Sequence, residues 1–121
     1  MVETRNCDVL IVGGGPGGYV AGIRCAQLGL DTVIVEGSRY GGTCLIRGCI
    51  PSKAIIHAAE RFESLAQHAE NGGHMGISVD GTPTLNMQGL VSWKDSIVDR
   101  LNKGVEVLLK TAGAELVHGW A

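Results

Sequence analysis

Two cysteines, Cys44 and Cys49, stand five positions apart in the stretch Gly41-Gly42-Thr43-Cys44-Leu45-Ile46-Arg47-Gly48-Cys49-Ile50-Pro51-Ser52-Lys53. A regular helix would hold their Cα atoms roughly 8–9 Å apart by rise and turn angle. A disulfide tolerates only about 7 Å. If these cysteines bond, the turn between them cannot be regular helix. Gly48 and Pro51 supply the irregularity, because glycine is permissive in φ and proline deletes a donor. Thiol chemistry needs the thiolate. A cysteine near a helix start, beside Arg47 and Lys53, is expected to have that form favoured. Three blander readings compete: inert buried residues, a structural cross-link, or half of a zinc site. Zinc normally takes four ligands, and only His57 stands near, with no second cysteine pair in the sequence. In a reducing setting a cysteine pair is more often catalytic or metal-binding than structural.

A second chemical feature precedes the first. Gly13-Gly14-Gly15-Pro16-Gly17-Gly18 contains G-x-G-x-x-G at Gly13, Gly15 and Gly18, and Glu36 follows eighteen residues after the last of these. Alone the pattern is weak. Here it follows an apolar run and opens a helical one, which is the full dinucleotide fingerprint. Gly13 permits the tight turn, Gly15 lets backbone approach a pyrophosphate, and Gly18 allows close packing of helix on strand. The free N–H groups of the helix start attract phosphate, with Pro16 at the first helical position. Glu36 can accept hydrogen bonds from ribose hydroxyls, and its charge disfavours a 2′-phosphate. A ligand-free glycine turn is the competing reading, and the motif alone does not separate FAD from NAD.

The elements that must position these residues read as follows. Cys7–Val12 is a short apolar run, expected as a buried parallel strand. Pro16–Leu28 reads as a helix stopped at Gly29, and Thr32–Val35 as a second strand closed by Glu36 and Gly37. Strand, glycine loop, helix and strand make a βαβ unit with a right-handed crossover. Tyr40–Gly48 reads as a second glycine-bearing loop. A helix follows from about Cys49 to about Ala69, then a polar surface connection over Glu70–Met87. Leu90, Trp93, Ile97, Leu101, Val105, Leu108 and Ala112 recur at helical steps, so they define an amphipathic helix facing a core. Glu115–His118 reads as a third strand stopped by Gly119. The fold class is therefore α/β, Rossmann-like, around a parallel sheet. His57, on the apolar redox helix, is expected in the core, and Trp93 and Trp120 as core or edge packing.

Size and composition bound the reading. The chain has 121 residues, 19 of them glycine, with 45% hydrophobic and 18% charged residues and a net charge of −2. That is one small domain at most. The low aromatic content of 4% and the lack of a basic run speak against a nucleic-acid or anionic-membrane partner. No apolar stretch reaches spanning length and no signal-peptide pattern is present, so a cytoplasmic, bacterial setting is the default.

GGTCLIRGCIPSK closely resembles the redox-active motif of the pyridine nucleotide–disulfide oxidoreductases. GGGPGGYVAGIRCAQLG, VIVEG, WKDSIVDRL and VHGWA resemble the same family, so the likeness covers nearly the whole chain. Within the family the pattern is most similar to the dihydrolipoamide dehydrogenase branch, whose motif reads GGTCLNxGCIPSK. The last two segments resemble flavoproteins of branched-chain 2-oxo acid dehydrogenase complexes. The resemblance implies that FAD is the cofactor of the glycine cradle, and that NAD⁺ binds a domain outside these residues. Gly13, Gly15, Pro16, Gly17 and Gly18 would take the pyrophosphate. Glu36, Gly37 and Ser38 would meet the ribose. Gly42, Thr43, Cys44 and Gly48 would line the path of the cofactor, with backbone of Gly119 and Ala121 at its adenine end. Cys49 would lie against the flavin and pair with it as a thiolate, Cys44 would exchange with the dithiol substrate, and Lys53 would stabilise reduced flavin. The implied partners are dihydrolipoamide on a lipoyl domain of a 2-oxo acid dehydrogenase complex and a second subunit of a homodimer.

Ile46 departs from the pattern, standing where the family usually has Asn, with Arg47 after it. Whole enzymes of the family are several times longer. Residues 1–121 thus read as the N-terminal part of an FAD-binding domain, an incomplete domain without the NAD, central and interface domains. The family's general base, a histidine, lies in the last of these. The chain alone is expected to be inactive and to self-associate through an uncovered sheet. Other readings are a glutathione or mercuric reductase, a nucleotide-binding module without chemistry, and an ordinary NAD-dependent dehydrogenase. Leu45, Ile50 and Ser52 favour the lipoamide branch over the reductases. The cysteine pair is unexplained by the last two readings.

Overall fold

A computed structural model describes residues 4–121. Strand β1 is Val9–Val12, helix α1 is Pro16–Gln27 and strand β2 is Thr32–Glu36. Two helices follow, α2 at Gly42–Ile46 and α3 at Cys49–Glu70, then the long α4 at Met87–Ala112 and strand β3 at Glu115–His118. The three strands form one parallel sheet in the order β1-β2-β3, with Ile11 opposite Ile34 and Ile34 opposite Leu116. Both connections between paired strands are helical, as parallel pairing requires.

Side-chain alternation decides which sheet face is covered. Ile11, Ile34 and Leu116 point to one side, where they meet Leu109, Val105 and Val98 of α4 and Ile23 and Ala26 of α1. Gly22 is the close approach between those helices. A Cβ there would stand 3.0 Å from Leu109 Cδ2, so α1 needs glycine at the crossing. On the other face Leu10 and Val12 stay 58% and 64% exposed. An uncovered apolar face is therefore present, and β1, expected as a buried strand, is covered on one face only. No helix of the described residues is long and apolar enough to cross a membrane.

Helix ends follow sequence signals. Asn86 caps α4 by accepting from the Gly89 N–H at 2.9 Å, and Gly113 closes it in the left-handed conformation at φ 99°. Gly29 likewise has φ 82° after α1.

Tyr40 joins the two motifs to the core. Its ring is fully buried, and its hydroxyl lies 3.3 Å from the Ile34 carbonyl and 3.2 Å from the Val117 carbonyl. Burial, then the charges of Glu36 and Glu106, push its phenol up from the ordinary tyrosine value. Asn102 Nδ2 donates to the Tyr40 carbonyl, and Arg39 bridges to Asp99 at 2.7 Å and to Asn102 Oδ1 at 3.2 Å. The segment carrying the cysteine motif is thus tied to α4 before its own helix begins.

Two sequence expectations about packing are corrected. His57 is exposed and its Nε2 accepts from Arg61 Nε at 3.1 Å, because α3 buries Pro51 and Ala54 on the face next to it. Trp120 is 89% exposed and Trp93 43%, so neither is a core residue, and of the core-or-edge reading the edge half holds for Trp120, whose ring packs over Gly37.

Candidate functional site

The glycine cradle is built by backbone contact. Gly13 has φ 100°, and its N–H bonds the Val35 carbonyl at 2.8 Å, which continues the β1–β2 pairing into the turn. A Cβ on Gly18 would lie 1.8 Å from the Gly13 carbonyl oxygen, so no side chain fits there. Gly15 is the N-cap of α1 with Pro16 at N1. No side chain caps the helix, and no acidic residue stands in its first turn. The first N–H groups of α1, from Gly17 onward, face a position that suits an anion. No described atom lies within 4 Å of where a Gly17 Cβ would stand, and a Gly15 Cβ would meet only Gly42 Cα, at 3.8 Å. This open, uncapped donor set fits a diphosphate.

Glu36 is more deeply committed than the sequence suggested. Its Oε2 accepts from the Gly14 N–H at 2.7 Å and its Oε1 from the Ser38 N–H at 2.8 Å. Each oxygen keeps one further acceptor direction, so ribose contact remains compatible with this framing role. Gly37 lies under Trp120, whose ring atom Cε2 would be 2.4 Å from a Cβ there. The Gly119 N–H bonds the Glu36 carbonyl at 3.1 Å, which leaves its carbonyl free, and Ala121 is exposed beside it.

The cysteine motif rests directly on this cradle. Gly41 donates to the Gly14 carbonyl at 2.7 Å, and Gly42, at φ 65°, sits so close that a Cβ would be 2.6 Å from Gly15 Cα. What read as a loop over Tyr40–Gly48 contains the five-residue helix α2. Gly42 and Thr43 are poor helix formers, so tertiary contact makes the turn: Leu45 is buried in the core cluster and Gly42 packs on the cradle. Gly48, at φ −120° and ψ −103°, breaks the path between α2 and α3. A Cβ on it would be 3.1 Å from the Thr43 carbonyl oxygen. The expectation that the turn between the cysteines is not regular helix holds. Its agent is Gly48 alone, since Pro51 sits in the first turn of α3, where proline is tolerated.

Cys44, in α2, and Cys49, the first residue of α3, are both free thiols, the first half-buried and the second exposed. They are within hydrogen-bonding reach of each other. That bond to Cys49, then burial and the Cys49 charge, raise the Cys44 thiol above its ordinary value, and the Lys53 ammonium opposes the shift. The expectation of a favoured thiolate is therefore corrected at Cys44. Lys53 is exposed on α3, one turn beyond Cys49.

Helix α2 separates two cavities. On one side is a polar groove of about 220 Å³ lined by Glu36, Ser38, Arg39, Thr43, Arg47 and Trp120, with Gly42 and Ile46 completing it. On the other is a cavity of about 360 Å³ whose walls include Pro16, Tyr19, Cys44, Ile50, Leu101 and Leu108, and which no charged side chain lines. The sequence reading missed this second cavity. Its signal was Gly104, another of its lining residues, a glycine inside the otherwise regular apolar stripe of α4.

The structure thus sets the uncapped glycine turn of a parallel βαβ unit against the segment that carries Cys44 and Cys49. Residues 7–121 match the family model described as pyridine nucleotide-disulphide oxidoreductase. The chain belongs to that family. It is 54% identical over 121 residues to dihydrolipoyl dehydrogenase of Pseudomonas aeruginosa, covering 100% of this chain and 26% of that protein. It is 52% identical over 118 residues to dihydrolipoyl dehydrogenase 2 of Haloarcula marismortui, covering 98% of this chain and 24% of the relative. The chain thus spans about a quarter of the length of the curated relatives it matches. Among solved structures, the Cu(II) complex of the HOCl-induced flavoprotein disulfide reductase RclA from Escherichia coli superposes with a TM-score of 0.74. That match has 22% identity and covers 98% of this chain and 22% of that one, and it supports the fold.

Proposed function

We propose that this chain is the N-terminal, FAD-binding part of a dihydrolipoyl dehydrogenase, in which Cys44 and Cys49 take the electrons of dihydrolipoamide. The carrying observation is the setting of Cys44: its thiol feels that of Cys49, and it lines an apolar cavity. A lipoyl arm is an aliphatic chain ending in a dithiol, and suits such walls. Glutathione carries charged groups that this lining would leave unpaired, which disfavours a glutathione-type substrate. A non-catalytic nucleotide module leaves the paired thiols without a use.

The chemistry begins with the pair oxidised. A substrate thiolate attacks Sγ of Cys44, the Cys44–Cys49 bond breaks, and Cys49 leaves as thiolate. The second substrate thiol then attacks the sulfur held by Cys44. Lipoamide closes its ring and Cys44 is released, taking up a proton, which agrees with its raised thiol value. Two electrons and two protons have then passed from substrate to the protein and its solvent. FAD, if bound beside Cys49, would supply a two-electron acceptor for the reduced pair, with NAD⁺ as the final acceptor.

Gly13, Gly15, Gly17 and Gly18, with Pro16, would hold the diphosphate, and Glu36, Gly37 and Ser38 the ribose. Gly42, Thr43 and Gly48 would bring the cofactor alongside Cys49 and Lys53, while Gly119 and Ala121 border its adenine end. The lipoyl substrate belongs to a 2-oxo acid dehydrogenase complex, with dimerisation through residues beyond these 121 and a cytoplasmic setting.

The test uses Cys49→Ser and Cys44→Ser chains exposed to oxidised lipoamide and read by intact mass. A lipoyl adduct on Cys44 in Cys49→Ser, trapped by alkylating the freed lipoyl thiol before its ring re-closes, with little on Cys49 in Cys44→Ser, is expected. An adduct formed equally on either cysteine, or equal capture of glutathione disulfide, would refute the assignment.

A further inference from the structure

Two guanidinium groups line the polar groove, and their commitments differ. Arg39 is held by Asp99 at 2.7 Å and by Asn102 at 3.2 Å. Arg47 is exposed, and among the described residues its guanidinium has no ion pair and no hydrogen bond. Its backbone N–H closes α2 on the Thr43 carbonyl at 2.9 Å, which fixes where the side chain departs. Thr43, Ile46 and Arg47 stand at helical spacing and all three line the groove, whereas Cys44 and Leu45 line the apolar cavity behind them.

Proximity in sequence suggested that Arg47 serves the thiols. The arrangement says otherwise. The cation that acts on Cys44 is Lys53, and Arg47 is not among its influences. The other charged lining group without an ion pair is Glu36, whose two oxygens already accept backbone N–H groups. The groove therefore offers one uncommitted cation and one carboxylate already held by two backbone donors, beside a helix start that itself favours negative charge. A guanidinium presents a planar fork of donors matched to phosphate oxygens.

We infer that Arg47 grips the diphosphate of the dinucleotide in this groove, adding a side-chain cation to the backbone donors of the glycine cradle. The inference rests on the dinucleotide reading of the site. It gives Ile46, the departure from the family motif, and the Arg47 that follows it separate roles: Ile46 walls the groove, and Arg47 supplies its charge.

The test is calorimetric titration of the chain, wild type and Arg47→Gln and Arg47→Lys, with ADP and with adenosine. ADP carries the diphosphate and adenosine does not. Arg47→Gln is expected to weaken ADP about tenfold or more, the scale of one charged hydrogen bond, and to leave adenosine unchanged. Arg47→Lys should fall between, and the salt dependence of ADP binding should flatten in Arg47→Gln. Equal ADP affinity in wild type and Arg47→Gln overturns the role of Arg47 while sparing the nucleotide site. Equal loss of ADP and adenosine also overturns it, since the effect would then lie outside the diphosphate. A wild-type chain that binds neither ligand overturns this inference together with the proposed function.

Discussion

The contact of Gly42 with Gly15 can be broken from either side, and the two sides predict opposite results. In Gly42→Ala the new Cβ would stand 2.6 Å from Gly15 Cα, and ordinary contact begins at 3.4 Å. The two backbones must part by about 0.8 Å, an overpacking that typically costs about 1–3 kcal/mol. Alanine at φ 65° adds about 1–2 kcal/mol of left-handed strain. The sum is about 2–5 kcal/mol, a large share of the stability of a small domain. With a urea slope of about 1–2 kcal/mol/M, the midpoint should fall by at least about 1 M. Lifting α2 off the cradle is the available relief, and it breaks the Gly41 to Gly14 bond of 2.7 Å. In Gly15→Ala the backbone is extended, at φ −73° and ψ −175°, and the new Cβ would be 3.8 Å from Gly42 Cα. The fold should lose no more than about 1 kcal/mol, the range of an N-cap change. That methyl nevertheless stands at the open floor of the cradle, so ADP affinity should collapse. Urea unfolding, amide exchange at Gly41 and ADP titration separate the cases. A Gly42→Ala chain with an unchanged midpoint and unchanged Gly41 protection would refute the packing reasoning. A Gly15→Ala chain that keeps its ADP affinity would refute the cradle.

Two further substitutions test the frame and the dithiol. Glu36→Gln keeps one acceptor oxygen for two backbone donors, and the Gly14 N–H, at 2.7 Å and half-buried, should retain it. The abandoned Ser38 N–H turns to water, so the cost should be near the low end of about 1–3 kcal/mol, read as a melting temperature lower by a few degrees. An unchanged melting temperature would mean that the carboxylate does not hold the turn. Cys49→Ala removes the leading cause of the raised Cys44 thiol, so the pH profile of iodoacetamide alkylation at Cys44 should shift to lower pH. A raised value stabilises the fold fully below the ordinary thiol value, and that contribution disappears as pH rises through the raised one. Cys49→Ala should therefore flatten the loss of stability at alkaline pH, and an alkylation profile that stays put or moves upward would refute the hydrogen-bonded pair.

Much of this molecule was legible in residue order, and the failures share a cause. Strands and long helices announced themselves through their apolar periods, as at Ile34 and Val105, but the face that α4 buries was misread: Val98, Asn102 and Leu109 are buried beside Val105, while the expected Leu101 and Leu108 are exposed. The glycine turn was legible because each glycine answers a local demand: the Gly18 Cβ position coincides with the Gly13 carbonyl oxygen. Helix α2 was not legible. Its residues disfavour helix locally, and the contacts that impose it come from Gly15 and from the core around Leu45. His57 was misplaced because the apolar run around it exceeds what α4 can cover: Ile55 and Ile56 are exposed as well. The thiol direction was misjudged because Cys49 and burial outweigh Lys53 at Cys44, while Arg47, near in sequence, lines the opposite cavity.

The short helix α2 accounts for how two incompatible environments share one site. A dinucleotide needs backbone donors, cations and hydroxyl acceptors, while an aliphatic dithiol needs walls that leave no polar group unpaired. Five residues separate them: Thr43 and Ile46 face the groove, and Cys44 and Leu45 face the apolar cavity. Had the cysteines occupied one continuous helix, their five-residue step would have held them too far apart to exchange a bond. The break at Gly48 turns the chain between Cys44 and Cys49; on the proposed function, electrons would cross the wall through this sulfur pair while substrate and cofactor kept to their own sides. The site's geometry is thereby set by three glycines with distinct duties: Gly42 seats the wall on the cradle, Gly48 turns the chain at its end, and Gly15 leaves the ligand room.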